Sequence, residues 1–404
     1  MPKKNDLSFI NDNKGIKKPT IITFVCNYLP GFKAGGILRN VVNTIDNLYD
    51  DFNFLIITKD RDLGDDEPYT DVKIDEWQKI GNAMVLYLSP QNNTFKKISK
   101  LLTDTYYDIV LLNSFFDPFT VKVLLYKKLH TKNFKPVIVA PFGEFAWASL
   151  SQKYPKKYVF IKVAKVIGLY SNVVWRVSSE FEKADLVNIM KVKPDAIHIT
   201  GDLPVKDVPE INQNETSLPT QKQDLRIVFL SRIAREKNLD YALKVLQRVK
   251  AQVIFDIYGP AENQAYWKEC QELILKLPGN ITLNYLGSVT PDQVFNVFSR
   301  YDLFFFPTGG EAYGNVIAEC LSVGTPVLLS TETPWRDLQS DGLGWDIDLD
   351  NMDAFVAAIE YASSLDSKTR LENRNVVKKN IEKRLFDPFV LESNKRLFKM
   401  QLHN

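Results

Sequence analysis

The chain has few cysteines, few histidines and no long apolar run, and each shortage removes a class of protein. Its three cysteines, Cys26, Cys270 and Cys320, are an odd and scattered set in 404 residues. They form neither a disulfide framework nor a metal-ligand spacing, which suits a reducing cytoplasm. Three histidines, His130, His198 and His403, leave little imidazole for acid–base work. His403 lies in the tail, His198 inside a predicted strand and His130 at a predicted helix end, so none is assigned to a reacting group. No stretch of ~18 apolar residues is present to span a bilayer. Residues 1–19 lack the apolar centre of a secretion signal and predict a disordered lead-in. The balance of 51 basic against 49 acidic side chains leaves a net charge of +2, so no general attraction to nucleic acid is expected and any basic surface must be local.

What is present fills two cores. A hydrophobic share of 45% and 404 residues suit two domains rather than one. Residues 205–224, with Pro209, Asn212, Asn214, Ser217 and Pro219 and no helical period, read as a linker. This gives an N-terminal domain over 20–204, a C-terminal domain over 225–385 and a last helix within 386–404. Short apolar runs at 20–27, 52–58, 83–88, 109–113, 136–140, 174–178 and 197–200 alternate with helical-period segments. The second half repeats the pattern at 225–230, 253–258, 281–286 and 301–306. Such alternation predicts an α/β chain with a parallel, doubly wound sheet in each half.

One stretch carries most of the chemistry. Phe304-Phe305-Phe306 is a buried strand, Pro307-Thr308-Gly309-Gly310 ends it, and from Asn315 the residues Val316, Ile317, Cys320 and Leu321 recur at helical spacing until Gly324. A strand feeding a helix through glycines presents backbone N–H groups and the positive end of a helix dipole at a sheet's carboxyl edge, a seat for phosphate. Carboxylates there repel phosphate, so Glu311 and Glu319 are expected to face hydroxyl groups. A nucleotide sugar offers both kinds of partner. An earlier unit of this kind runs from the strand at 20–27 through Gly35-Gly36 into a helix, without the full dinucleotide fingerprint.

From Pro307 to Ser330 the sequence resembles the signature of the family 4 glycosyltransferases, where two glutamates separated by seven residues mark the donor site, as Glu311 and Glu319 do here. The resemblance implies a GT-B fold, with two Rossmann-like domains facing across a cleft. It implies a donor linked to UDP or GDP, transfer with retention of anomeric configuration, and no metal or cofactor beyond the substrate. Arg232 and Lys237 match the family's two cations on the donor diphosphate, joined by Gly310 and the amides of Gly314, Asn315 and Val316. Glu319 would receive the ribose and Glu311 the sugar ring, so that Glu311, Arg232 and Lys237 form the catalytic set. Gly35 and Gly36 match the loop that closes over the donor. Residues 331–338 depart from the family's glycine-rich pattern, which bears on the donor sugar.

The acceptor falls to the N-terminal domain, where Glu144 follows a strand and is the acceptor-side candidate. Phe145 to Ser179 holds no acidic residue but Lys153, Lys156, Lys157, Lys162, Lys165 and Arg176 among many apolar ones. A basic amphipathic segment over 151–176 suits an anionic membrane surface or a lipid diphosphate, and equally a domain-face helix with solvated lysines. Asp65-Asp66-Glu67 reads as solvated. Asp346, Asp348 and Asp350 alternate, which puts three carboxylates on one face, yet late in the chain, and no metal role is assigned. The expectation is a cytoplasmic hexosyltransferase, peripheral on the inner face of the plasma membrane, acting on a saccharide or lipid-linked acceptor for cell-surface polysaccharide or glycolipid. Two alternatives stay open: a nucleotide-sugar epimerase or hydrolase of the same fold, and a non-catalytic partner subunit.

Overall fold

The computed structural model describes residues 18–130, 134–151, 154–206, 208–209, 224–261 and 263–402, with the side chains of residues 147 and 148 left aside. The lead-in expected over 1–19 and the linker over 205–224 lie almost wholly outside the described residues, as does His403. The chain forms two compact units: Met1–Lys206 with Pro388–Asn404, and Asp207–Asp387.

In the first unit the chain runs β1 (Thr20–Phe24), α1 (Gly36–Leu48), β2 (Asn53–Lys59), β3 (Trp77–Ile80), β4 (Ala83–Leu88), α2 (Phe95–Asp104), β5 (Ile109–Asn113) and α3 (Pro118–Leu129). It continues through β6 (Val137–Ala140), α4 (Trp147–Leu150), α5 (Tyr154–Val166), β7 (Val174–Val177), α6 (Glu180–Met190) and β8 (Ile197–Ile199). The sheet order is β3-β4-β2-β1-β5-β6-β7-β8. Every pairing is parallel except the edge pair of β3 with β4. Strands such as β1 and β5 are buried along their whole length, because helices cover both faces of a parallel sheet.

The second unit runs β9 (Leu225–Leu230), α7 (Leu239–Leu246), β10 (Val253–Tyr258), α8 (Gln264–Ile274), β11 (Ile281–Gly287), α9 (Val294–Ser299) and β12 (Leu303–Phe306). Then come α10 (Asn315–Ser322), β13 (Val327–Ser330), β14 (Gly344–Ile347), α11 (Met352–Ser364) and α12 (Ser367–Leu385). Its order, β11-β10-β9-β12-β13-β14, is the doubly wound order in which the chain starts at the centre, builds outward and then reverses. The reversal falls between β9 and β12, which pair through Leu303 with Ile227 and Phe304 with Val228. Phe304, Phe305 and Phe306 are fully buried, and each such ring contributes about 1.5–3 kcal/mol of apolar burial.

The final helix, α13 (Pro388–Gln401), belongs to the first unit. Phe398 packs edge-on against Phe52 at 5.5 Å, and the Asn394 amide donates to the carbonyls of Thr200 and Gly201. Arg176 Nε donates to Asn394 Oδ1 at 3.1 Å, closing a buried polar knot on the tail.

Two expectations need correction. The three aspartates do not share a strand face, because β14 ends at Ile347. Asp346 accepts the Leu338 N–H at 2.9 Å and Asp348 accepts that of Asp350 in the following turn. The segment over 151–176 is also not amphipathic in the ordinary sense. α5 turns Ile161 and Ala164 inward, yet Val159, Val163 and Val166 stand on the exposed side. Among the described residues no helix is long and apolar enough to cross a membrane.

Candidate active site

At the carboxyl edge of the second sheet three loops meet on either side of the reversal between β9 and β12. The loop after β9, Ser231 to Asn238, carries Arg232 and Lys237. The loop after β12, Pro307 to Gly314, carries Glu311 and leads into α10. The loop after β13, beginning at Thr331, lies behind it.

Backbone groups fasten the first two loops together. The carbonyl of Glu236 accepts the Gly309 N–H at 2.7 Å and the Thr308 hydroxyl at 3.0 Å. Ser330 Oγ donates to the Thr308 carbonyl, and the Glu311 N–H donates to the Glu332 carbonyl at 3.1 Å. The Trp335 indole N–H donates to the Tyr313 carbonyl at 2.6 Å, with the two rings 5.6 Å apart. Each buried backbone group in this turn needs such a partner, since leaving one unmade costs about 1–3 kcal/mol. Gly314 then turns the chain into α10 at φ +85°, where a side chain is strained. A Cβ there would also stand 2.7 Å from Ile317 Cδ1. Gly314, standing at the N-cap, offers no side-chain acceptor of its own to the first turn of α10.

The side chains fall into a pattern that their separate roles did not anticipate. Lys237 Nζ lies 2.5 Å from Glu311 Oε1, and both side chains are only 14% exposed. The Thr308 hydroxyl, 3.3 Å away, shares that carboxylate oxygen, and the lysine ammonium lies 5.7 Å from the Phe306 ring centre. Shielded from water as it is, the pair is costly to break from one side, because either charge left alone would be poorly solvated. Arg232, more exposed, pairs with Glu236 at 3.5 Å. Glu319 is buried on the second turn of α10. Gly310, Gly314, Asn315, Val316 and Glu319 thus lie on one continuous turn and helix with Glu311, and Lys237 reaches it by its ion pair. The sequence reading missed Thr308, the Glu236 carbonyl and Trp335.

Gly35 and Gly36 belong to the first unit, at the entry to α1, with Gly35 at φ +66° and open space around both. The preceding loop is held by Asp62, which accepts the N–H groups of Phe32 at 2.7 Å, Lys33 at 3.1 Å and Leu63 at 2.8 Å. Asp65, Asp66 and Glu67 are exposed, as expected of a solvated trio, and Asp65 also makes a surface pair with Lys33 at 2.5 Å.

Glu144, after β6, is fastened rather than extended toward solvent. It accepts the Ser114 hydroxyl at 2.6 Å and the Phe115 N–H, tying the loop after β5 to its own. Burial of its carboxyl group pushes the pKa up to about 7. His130 stacks on Tyr126 at the end of α3, as a helix-end residue.

Residues 210–384 match the family model described as glycosyl transferases group 1, nearly the full extent of the second unit. A 41.2 kDa protein in the cps region of Klebsiella pneumoniae is 25% identical over 262 residues, 63% of this chain and 69% of that protein. The O-antigen biosynthesis glycosyltransferase WbnH of Escherichia coli is 24% identical over 188 residues, 46% of this chain and 49% of its own. Among solved structures, sucrose-phosphate synthase from Thermosynechococcus elongatus superposes with a TM-score of 0.67 at 16% identity, covering 96% of this chain and 100% of that one. Anabaena HepE in complex with UDP-glucose superposes at 0.64 and 13% identity, covering 94% and 98%. At such identities the likeness is one of fold, and the fold is GT-B.

Proposed function

We propose that this glycosyltransferase takes a sugar from a nucleoside-diphosphate donor and places it, with retention of configuration, on a saccharide or lipid-linked acceptor in the synthesis of a cell-surface polysaccharide or glycolipid. The observation that carries the reading is the meeting of Lys237, Glu311 and the start of α10 at the reversal point of the second sheet. Open α/β sheets bind ligands at that point. Support for the donor class comes from HepE, whose structures hold UDP-glucose in one case and UDP with glucose in another. Support for the pathway class comes from the E. coli O-antigen enzyme and from the Klebsiella protein of the cps region.

On this reading the diphosphate lies against the Gly314, Asn315 and Val316 amides, with Arg232 and Lys237 as its counter-charges. Lys237 turns part of its hydrogen bonding from Glu311 to phosphate. Glu311 is then released to a sugar hydroxyl, and Glu319 receives the ribose. As the bond from the anomeric carbon to the β-phosphate oxygen breaks, negative charge grows on that oxygen, where fixed cations and amides are worth most. The acceptor oxygen forms the new bond on the same face, and its proton passes to the departing phosphate. UDP- and GDP-sugars are the candidate donors, in keeping with the family 4 resemblance.

Thermal shift with a panel of nucleoside diphosphates and nucleotide sugars tests the site, because a ligand of the folded state raises Tm by mass action. One base is expected to stabilise the protein, with Glu319→Ala losing that shift. No response to any nucleotide at saturating concentration overturns the reading. Nucleotide release that needs no acceptor sugar would instead favour an epimerase or hydrolase.

A further inference from the structure

The outer side of α5 departs from the rule that a surface helix turns its polar face to water. Its inward residues Ile161 and Ala164 join the core of the first unit. Outward, Val159, Val163 and Val166 are 59%, 52% and 87% exposed. Their spacing of four and three puts them on one stripe. Tyr154 and Tyr158, stacked at 5.6 Å, stand beside the stripe, with the Lys162 ammonium 4.5 Å over the Tyr158 ring. Lys156, Lys162 and Lys165 are exposed on the same helix. Of these, Lys165 already donates to the Ile189 carbonyl. From Phe145 to Ser179 no carboxylate offsets this charge.

We propose that this face of α5 rests on an anionic bilayer surface. The valine stripe enters the boundary between headgroups and acyl chains, the two tyrosines lie at headgroup level, and Lys156 and Lys162 meet lipid phosphates. Exposed aliphatic area flanked by aromatic rings and lysines matches the chemistry of that boundary, where apolar burial and attraction to anionic lipid add. Charge complementarity selects lipid over a second copy of the chain, because an isologous contact through this helix sets lysine against lysine with no acid on the segment to pair them. A bilayer also explains why the stripe is aliphatic, which a soluble acidic partner does not need. The proposal goes beyond the sugar-transfer reading and stands or falls separately from it.

The test is co-sedimentation of the full chain with vesicles rich in phosphatidylglycerol and with vesicles of phosphatidylcholine alone. Binding is expected only to the anionic vesicles, weakening as salt is raised. The pair Lys156→Gln with Lys162→Gln is expected to lose affinity by about fivefold per lysine, and the pair Val159→Ser with Val163→Ser by about tenfold or more. All four side chains are exposed, so the thermal melts of both variants should match the parent, which separates loss of binding from loss of fold. Equal sedimentation with both vesicle types overturns the proposal, as does no sedimentation with either. A dimer in light scattering that Val163→Asp dissolves, with vesicles left unbound, assigns the stripe to a second copy instead.

Discussion

The two sheets share a doubly wound order, but they fasten the loops at their carboxyl edges with different chemistry. In the first unit, carboxylates hold the loops by accepting backbone N–H groups. Asp62 takes three, Glu144 takes the Phe115 N–H, and Glu182 takes those of Gly143 and Ser178 at 2.6 and 2.7 Å. In the second unit the fastening is mostly carbonyl to amide, hydroxyl or indole, with one ion pair at the centre. The first edge is therefore anchored mainly by carboxylates on backbone amides, whereas the second is held mainly by neutral groups, with the Lys237–Glu311 and Arg232–Glu236 pairs among them.

The largest effect expected from breaking this contrast is at the ion pair. Lys237→Ala removes a counter-charge and strands Glu311 in partial burial, and turnover should fall by about 10²–10³-fold. Assaying it beside Glu311→Gln and the double variant checks the coupling. Additive losses in that cycle mean that the two residues act separately and that the pairing is incidental.

Next is the clamp on the first unit's glycine loop. Asp62→Ala leaves the Phe32, Lys33 and Leu63 amides without their acceptor and should cost about 1–3 kcal/mol in denaturant unfolding. Asp62→Asn, which keeps an acceptor oxygen, is expected to restore part of that loss.

Glu144→Gln sharpens the comparison through pH. With its pKa raised to about 7 from the ordinary 4.5, folded Glu144 keeps a proton that the unfolded chain has released between those values. Stability from this group is then greatest below pH about 4.5, declines as pH rises toward 7, and is flat above. Glutamine mimics the protonated form, so the variant's stability should lose this slope, a difference of up to about 3 kcal/mol by pH 8 in denaturant unfolding. Parallel curves for parent and variant would show that the carboxyl is ionised throughout.

The smallest effects separate the two glycine turns. Gly314→Ala meets both a φ of +85° and the Ile317 methyl, and should lose about 1–2 kcal/mol. Gly36→Ala enters open space within a helix and should be neutral or gain up to about 1 kcal/mol. Equal losses at both sites, measured by chemical denaturation, would remove the distinction.

Much of the fold was legible because parallel strands read as unbroken apolar runs. The limits of β4, β5, β9 and β10 follow from the sequence alone. What escaped had no such signal. β3 is an edge strand with no fully buried residue, and α12 buries only Val377, Ile381 and Leu385 among charges on every side, which hides its period. The site divides in the same way. The residue types and glycine spacing around Glu311 pointed to phosphate and hydroxyl chemistry. Its bond to Lys237 spans 74 positions and leaves no trace in local pattern. The Glu236 carbonyl, which joins two loops, would be present with any side chain at that position, so no sequence pattern announces it.

That Lys237 already grips a carboxylate has a further consequence for the proposed donor site. An arriving anion meets a cation that is spoken for, and orthophosphate gains little by dislodging Glu311. A ligand carrying two phosphates and a ring of hydroxyls satisfies the helix amides, the ammonium and the freed carboxylate together. On the proposed reading, the resting pair would favour a ligand that brings several groups at once over a small anion that brings one.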